Sequence, residues 1–157
     1  MKNSSFLKVS ALIVLLTGCA TGGGPANGIG VDGKKVYLGP VPIENTDAFK
    51  TYLNSPHSEV DKQQYLFQRL KASNDLSYFH DGTWYGALEA YRGGMWLMRK
   101  RYQKGQNTRD FIRKYVERSE DTGKLHLVKY PDGSTQVGSY VLYNELDLLE
   151  EAAKKSS

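Results

Sequence analysis

The single cysteine of this chain limits how its fold can be held together. With one cysteine among 157 residues, neither an intramolecular disulfide nor a zinc site of paired cysteines can form. A chain of this length is expected to fold as one domain around its own hydrophobic core. Its residues are 39% hydrophobic and 24% charged, which is typical of a globular protein and not of a disordered one. Burial of apolar side chains must therefore stabilise the fold.

The cysteine lies at the end of an N-terminal segment typical of exported proteins. Two lysines precede a short apolar run over residues 9–16, which is well below the ~20 residues that span a membrane. The run ends in Leu16-Thr17-Gly18-Cys19, which resembles the lipobox of bacterial lipoprotein signal peptides. In that resemblance the small Gly18 lets a peptidase approach the backbone. The thiol of Cys19 is then the nucleophile that takes the diacylglycerol.

The lipobox predicts both the mature chain and its location. Residues 1–18 would be removed as a signal peptide, and Cys19 would carry acyl chains, including palmitate, on its sulfur and its amino group. Each buried CH₂ contributes about 0.8 kcal/mol, and two or more chains anchor a protein stably to a membrane. Ala20 stands where an aspartate often marks inner-membrane retention, so we expect the outer membrane, facing the periplasm. The alternative is an ordinary secretory signal that contains a cysteine.

Glycine and proline are concentrated between the lipobox and residue 45. Apart from a brief Val36-Tyr37-Leu38, this stretch has no helical or strand period. We therefore predict a flexible tether over 19–45 that spans roughly 25–30 Å, followed by a single globular domain over 46–157. The glycines do not form a phosphate-binding loop, since no strand precedes them and no helix begins after them.

The globular part combines helical periods with short β-like segments. Helices are predicted to begin near Thr46, Ser58, Thr83, either Asn107 or Thr108, and Ser139, most of them at side chains that cap helices. Residues 125–130 and 134–137 flank a Pro-Asp-Gly turn and predict a β-hairpin. The expected fold is α+β, mainly helical with four to five helices and one small antiparallel β-hairpin sheet.

Two of these helices have faces that can be assigned from their periods. The second helix places Leu66 and Leu70 on one side, with Tyr65 and Arg69 on the other. The longest helix carries a predicted core stripe of Trp84, Leu88, Tyr91, Met95, Met98 and Tyr102. Its far side carries the small residues Gly86, Ala90 and Gly93 beside Leu97. We expect this helix to be central and buried on two sides, with the alternative that its small-residue face lines a ligand site.

A family resemblance is visible between Asn74 and Gly133. Its motifs are Phe79-x-Asp81-Gly82-x-x-Tyr85, Glu89-Ala90, Thr108-x-Asp110-Phe111-Ile112 and Asp132-Gly133. They resemble a family of small bacterial exported proteins known as domain of unknown function 5329. The resemblance implies export and a shared fold. It implies no chemistry, because the family has no established activity.

Candidate catalytic residues are few. The chain has three histidines, of which His80 stands in a turn beside Asp81, with Glu89 on the next helix. Ser73 could join the first two in a nucleophilic arrangement, and Glu117 or Glu120 could join them at a metal. No nucleophile motif or metal-binding motif accompanies either set. We therefore predict no metal, no cofactor and no catalysis; the alternative is a cell-wall or polysaccharide hydrolase that uses Asp81 and Glu89 as its carboxylate pair.

Positive charge is concentrated in one segment. Residues 92–118 contain nine Lys and Arg and two acidic residues, a net charge of +7. The candidate residues for binding an anionic surface are Arg99, Lys100, Arg101, Arg109, Arg113 and Lys114. For an exported protein, such a surface belongs to lipid phosphates, peptidoglycan or an acidic protein and not to nucleic acid. The alternative is a solvated helix surface. The sequence thus predicts an envelope lipoprotein whose domain is a tethered, non-catalytic binding or interaction module.

Overall fold

A computed structural model describes residues 27–156. Within this range the chain forms five α-helices and four short strands. The helices are α1 (Asp47–Leu53), α2 (Glu59–Ala72), α3 (Ala87–Arg101), α4 (Thr108–Phe111) and α5 (Gly138–Ser156). The strands are β1 (Ser77–His80), β2 (Thr83–Tyr85), β3 (Leu127–Lys129) and β4 (Thr135–Val137). The predicted α+β class with mainly helical content is confirmed. None of the helices within 27–156 is both long and apolar enough to span a bilayer.

The four strands form one antiparallel sheet in the order β2-β1-β3-β4. Tyr78 of β1 lies opposite Tyr85 of β2 on one side and Val128 of β3 on the other. The turn between β1 and β2 contains Asp81 and Gly82 at φ values of 47° and 95°, a left-handed conformation that favours glycine and aspartate. The sheet therefore has two strands more than the predicted hairpin, because β1 pairs with β3 and β2 pairs with β1 at the edge of the sheet.

Helix starts follow the capping side chains. The Thr46 hydroxyl accepts from the Phe49 N–H, and Ser58 forms a reciprocal capping box with Asp61. Helix α3 begins at Ala87, three residues later than Trp84, since Thr83–Tyr85 is taken up by strand β2. Local capping thus positions α1 and α2 as predicted, whereas sheet pairing delays α3.

The core consists of two connected clusters. The larger lies among α1, α2 and α5 and includes the fully buried Phe49, Tyr65, Leu146 and Leu149. The smaller joins the sheet to α5 and contains Leu38, Leu76, Val128 and Val141. Both clusters pack on α5, so α5 is the central helix of the described domain.

The tether predicted over 19–45 is wrong for the part that the structure describes. The Gly28 N–H donates to Gln136 at 2.9 Å, and the Asn144 side chain donates to the Gly28 carbonyl at 2.8 Å. Further along, Leu38 and Ile43 have 1% and 0% of their surface exposed. Side-chain amides fix this irregular segment to the sheet and to α5, and such bonds leave no period in a sequence. The domain therefore begins before residue 46.

Helix α2 is buried on both sides, contrary to its predicted polar side. Arg69 is 4% exposed and forms a two-pronged pair with the fully buried Glu145 of α5, with both N···O distances at 3.0 Å. The Tyr65 hydroxyl and the Leu38 N–H donate to the same carboxylate, at 3.0 and 2.6 Å. One carboxylate thus joins α2, α5 and the N-terminal segment.

Helix α3 is not the central helix that its stripe predicted. Ala87 is its one buried residue, and Leu88 is 43% exposed. Of the predicted stripe, Tyr91 packs edge-on against Phe67 of α2, with ring centroids 6.2 Å apart. Helix α3 therefore lies at the edge of the domain and contacts mainly α2 and β1.

Candidate functional site

An open cavity of about 460 Å³ lies beside α3, which borders it along one side. Its volume falls in the range of roughly 300–1,000 Å³ that small-molecule sites occupy. The walls come from α2, α3, α4, the sheet and the π-helical segment Ile112–Val116 that continues α4. The apolar lining includes Leu66, Phe67, Phe79, Leu97, Phe111, Ile112, Tyr115 and Val116. The cavity is thus a mainly apolar site enclosed by α2, α3, α4, the π-helical segment and the sheet.

Two adjacent glycines explain how α3 can touch α2 and still leave a cavity. A Cβ atom at Gly94 would lie 2.8 Å from Cε1 of Phe67, so any side chain there would force the Phe67 ring or the helix to shift. A Cβ atom at Gly93 would meet nothing within 4 Å. Gly93 lies between Ala90 and Leu97 on the cavity wall. The small-residue side of α3 therefore faces a cavity, which corrects the prediction that a second element packs on it.

Two histidines form a hydrogen-bonded pair at the polar edge of the cavity. The Nδ1 atom of His126 lies 2.5 Å from the carbonyl oxygen of Val116, and its Nε2 atom lies 2.8 Å from Nδ1 of His80. Because the carbonyl can only accept, His126 carries its proton on Nδ1 and accepts from the His80 N–H. Burial lowers the pKa of His126, and the nearby His80 lowers it further. The pair thus connects the end of β1 to the π-helical segment through the residue that precedes β3.

Asp81 holds a neighbouring loop instead of facing the cavity. Its carboxylate accepts hydrogen bonds from the hydroxyls of Ser119, at 2.7 Å, and of Thr122. The hydrogen bond from Thr122, and after it the one from Ser119, holds the pKa of Asp81 below its usual range. His80 Nε2 lies 3.6 Å from the same carboxylate. Both oxygens of Asp81 are thus used to fix the loop that follows the π-helical segment.

Glu89 lies on the cavity wall but does not join Asp81. Its Oε2 atom lies 3.0 Å from the position that a Cβ of Gly86 would occupy. The carboxylate therefore folds over the first turn of α3, where the helix dipole favours negative charge. Asp81 is not among the described residues that line the cavity. The structure does not bring the two carboxyl groups predicted as a hydrolase pair onto one cavity surface.

The other arrangements considered from sequence do not assemble either. The Ser73 hydroxyl lies 2.5 Å from both the Leu70 carbonyl and the Tyr78 hydroxyl. The Ser73 hydroxyl is therefore engaged by the end of α2 and by strand β1. Across residues 27–156, no three His, Cys, Asp or Glu side chains are grouped as metal ligands would be.

Acidic partners neutralise part of the predicted basic surface. Arg109 bridges to Asp147 and Glu150 of α5 at 3.0 and 3.1 Å. Arg101 pairs with Glu120, and Arg113 pairs with Asp110. Lys100 and Lys114 lie over the rings of Trp96 and Tyr115 at 4.5 and 5.0 Å. Arg99 has no ion pair among the described residues. The six residues thus carry less unpaired charge than a count suggests, and anionic-surface binding stays a prediction.

Sequence reasoning missed Gln63, which lies on the cavity wall of α2. Gln63 is 3% exposed, and neither its amide nitrogen nor its amide oxygen has a hydrogen-bond partner among the described residues. Its position in the sequence could have indicated it. Gln63 precedes Leu66 by three residues and Phe67 by four, and this spacing places the three side chains on the same side of the helix. A polar residue on an apolar side of a helix is the informative exception.

Comparisons with known proteins return no match: no family model, curated protein or solved structure is similar enough to assign this chain. The resemblance to the exported family of unknown function therefore stays a prediction. The lipobox residues Leu16, Thr17, Gly18 and Cys19 lie outside the described residues.

Proposed function

We propose that this protein is a bacterial envelope lipoprotein, anchored through acyl chains on Cys19, whose domain binds a small apolar ligand without transforming it. The observation that carries the ligand-binding part is the open, apolar cavity of about 460 Å³ beside α3. The anchoring part rests on the lipobox Leu16-Thr17-Gly18-Cys19. Outer-membrane location, facing the periplasm, is part of the same proposal.

The composition of α3 supports binding as the role of the cavity. A glycine inside a helix costs about 1 kcal/mol relative to alanine, and leaving apolar surface in water costs about 25 cal/mol per Å². Gly93 lowers the stability of α3 as a helical glycine, and it also leaves part of the apolar cavity lining exposed. Both effects could be avoided, because a Cβ atom at this position would meet nothing within 4 Å. A sequence selected for stability alone would fill this space. Keeping it open is the usual compromise of a binding site.

The polar groups near the cavity support binding more than hydrolysis. Asp81 accepts from two hydroxyls, and Glu89 folds over the start of its own helix. A glycoside hydrolase needs two carboxyl groups facing one bond across about 5–9.5 Å. These two carboxyl groups have separate surroundings, so the hydrolase alternative has the weaker support.

The binding proposal is tested by filling the cavity from one residue. The mature chain with Cys19→Ser, which carries no lipid, is titrated with the apolar fluorophore N-phenyl-1-naphthylamine. We expect saturable binding to one site, and Gly93→Leu should weaken it at least about tenfold because leucine occupies the space that the probe needs. Arg92→Leu is the matched control, since it adds the same side chain at the neighbouring exposed position. Equal binding by all three proteins, or none, would contradict the proposal.

The anchoring proposal is tested separately by mass spectrometry of the native protein. The mature N-terminus should be Cys19 carrying a diacylglyceryl group and an amide-linked acyl chain. Cys19→Ser should leave the chain uncleaved or release it from the membrane. A soluble native protein that begins at another residue would overturn the anchoring, while leaving the cavity experiment unaffected.

A further inference from the structure

We infer that the cavity selects an apolar molecule that carries a neutral carboxamide or lactam group, and that this group pairs with the side chain of Gln63. The inference rests on the proposed function, because it names the chemical class of the ligand for the same cavity. Its basis is one polar side chain that is buried and unpaired on a mainly apolar wall.

Gln63 stands out among the polar residues that line the cavity. It is 3% exposed, and both ends of its amide lack a hydrogen-bond partner within the part of the chain that the structure describes. Buried polar groups in folded proteins are almost always paired, and an unpaired one destabilises the folded state. An amide that stays unpaired on a cavity wall is therefore a candidate contact for a ligand.

The neighbours of Gln63 are engaged elsewhere. One turn earlier on α2, the Glu59 carboxylate accepts from the Thr108 N–H at 2.6 Å and pairs with Lys62 at 3.1 Å. The Thr108 hydroxyl donates to the Glu59 carbonyl at 3.0 Å. These groups satisfy one another at the junction of α2 and α4. The Gln63 amide therefore depends on a partner from outside this junction.

The chemistry of the amide defines its partner. Gln63 presents one carbonyl acceptor beside an N–H₂ donor. A carboxamide or lactam offers the complementary N–H and C=O side by side, so both ends of Gln63 can be paired at once. A carboxylate would engage the donor and leave the Gln63 oxygen facing an anion. A charged group would also lose its hydration in a mainly apolar cavity.

A matched pair of ligands isolates this contact. Naphthalene-2-carboxamide and 2-isopropenylnaphthalene have the same shape, and only the first can donate and accept hydrogen bonds. Both are titrated into wild type and Gln63→Met, each as the mature chain with Cys19→Ser. We expect the ratio of the two affinities to shift by about tenfold toward the hydrocarbon in Gln63→Met, the size of one to two hydrogen bonds. Comparing ratios removes the different hydration of the two ligands.

Gln64→Met is the matched control, since Gln64 is the adjacent glutamine and is exposed. It should leave the affinity ratio at the wild-type value. The same ratio in wild type and Gln63→Met, with both ligands bound, would overturn the inference and leave the binding function standing. Failure of wild type to bind either naphthalene or the fluorophore would instead overturn the proposed function.

A measurement on the unmutated side chain keeps the test decisive if Gln63→Met does not fold. The two side-chain N–H signals of Gln63 are followed by nuclear magnetic resonance during both titrations. The carboxamide should move them downfield by hydrogen bonding, whereas the hydrocarbon should not. Equal shifts with both ligands would overturn the inference.

Discussion

The two sides of α2 differ in how their buried polar groups are satisfied. On the closed side, which faces α5, Tyr65 and Arg69 both donate to Glu145. On the open side, which faces the cavity, Phe67 packs on Tyr91 and Gln63 has no described partner. The same helix thus carries a completed polar network on one side and an incomplete one on the other. A completed network holds elements together, whereas an unpaired buried amide calls for an explanation, which the proposed ligand contact supplies.

The largest expected effect comes from breaking the closed side. Arg69→Ala leaves the fully buried Glu145 carboxylate without its cation, and such a loss costs about 3–5 kcal/mol. Urea unfolding of the unlipidated mature chain measures it. Arg113→Ala is the control: its pair with Asp110 is exposed, so we expect a change within about 0.5 kcal/mol. Similar small losses in both variants would show that the buried pair does not stabilise the closed side.

A smaller effect distinguishes the two glycines of α3 on the open side. Gly93→Ala and Gly94→Ala gain the same helix propensity, about 1 kcal/mol each. At Gly94 the new methyl group would lie 2.8 Å from the Phe67 ring, which packs on Tyr91 and must shift, whereas at Gly93 it meets open space. We therefore expect Gly94→Ala to be the less stable of the two by about 1–3 kcal/mol, the typical cost of overpacking. Equal thermal stability of the two variants would contradict a tight contact between α2 and α3 at Gly94.

The parts of the fold that could be predicted from sequence are those with local causes. Caps at Thr46 and Ser58 and the turn at Asp81-Gly82 depend on side chains next to the backbone that they bond. Strand β2 could not be predicted in this way, because Thr83–Tyr85 fits a helical period and becomes a strand only by pairing with β1. The segment around Gly28 has no period at all, and its bonds are to Gln136 and Asn144, more than 100 positions away.

The residues of the candidate site also divide into those with local signals in the sequence and those that depend on long-range contacts. The small residues Ala90 and Gly93 indicated a special side of α3, but periodicity cannot tell a partner element from an empty cavity. His80 was a candidate from its turn, and its bond to His126 needed the pairing of β1 with β3. Charge counts overstated the basic surface, because Arg109 pairs with Asp147 and Glu150 of α5, a helix far from Arg109 in the sequence. Long-range contacts thus decide which of the candidate residues share a surface.

The smallest expected effect is a loss of stability in mild acid at the edge of the open side. Burial and the nearby His80 lower the pKa of His126 below its usual value near 6.5. Between the lowered value and about 6.5, the unfolded chain binds more protons than the folded one, so stability falls as the pH falls. Protonated His126 would donate from both nitrogens and lose its bond from His80.

We expect the free energy of unfolding to decrease from pH 7.5 to about 5.5, a range above the titration of ordinary carboxylates. His126→Asn keeps a donor for the Val116 carbonyl and does not titrate, so it should flatten this dependence. The same slope in wild type and His126→Asn would show that the histidine pair does not couple the cavity edge to pH.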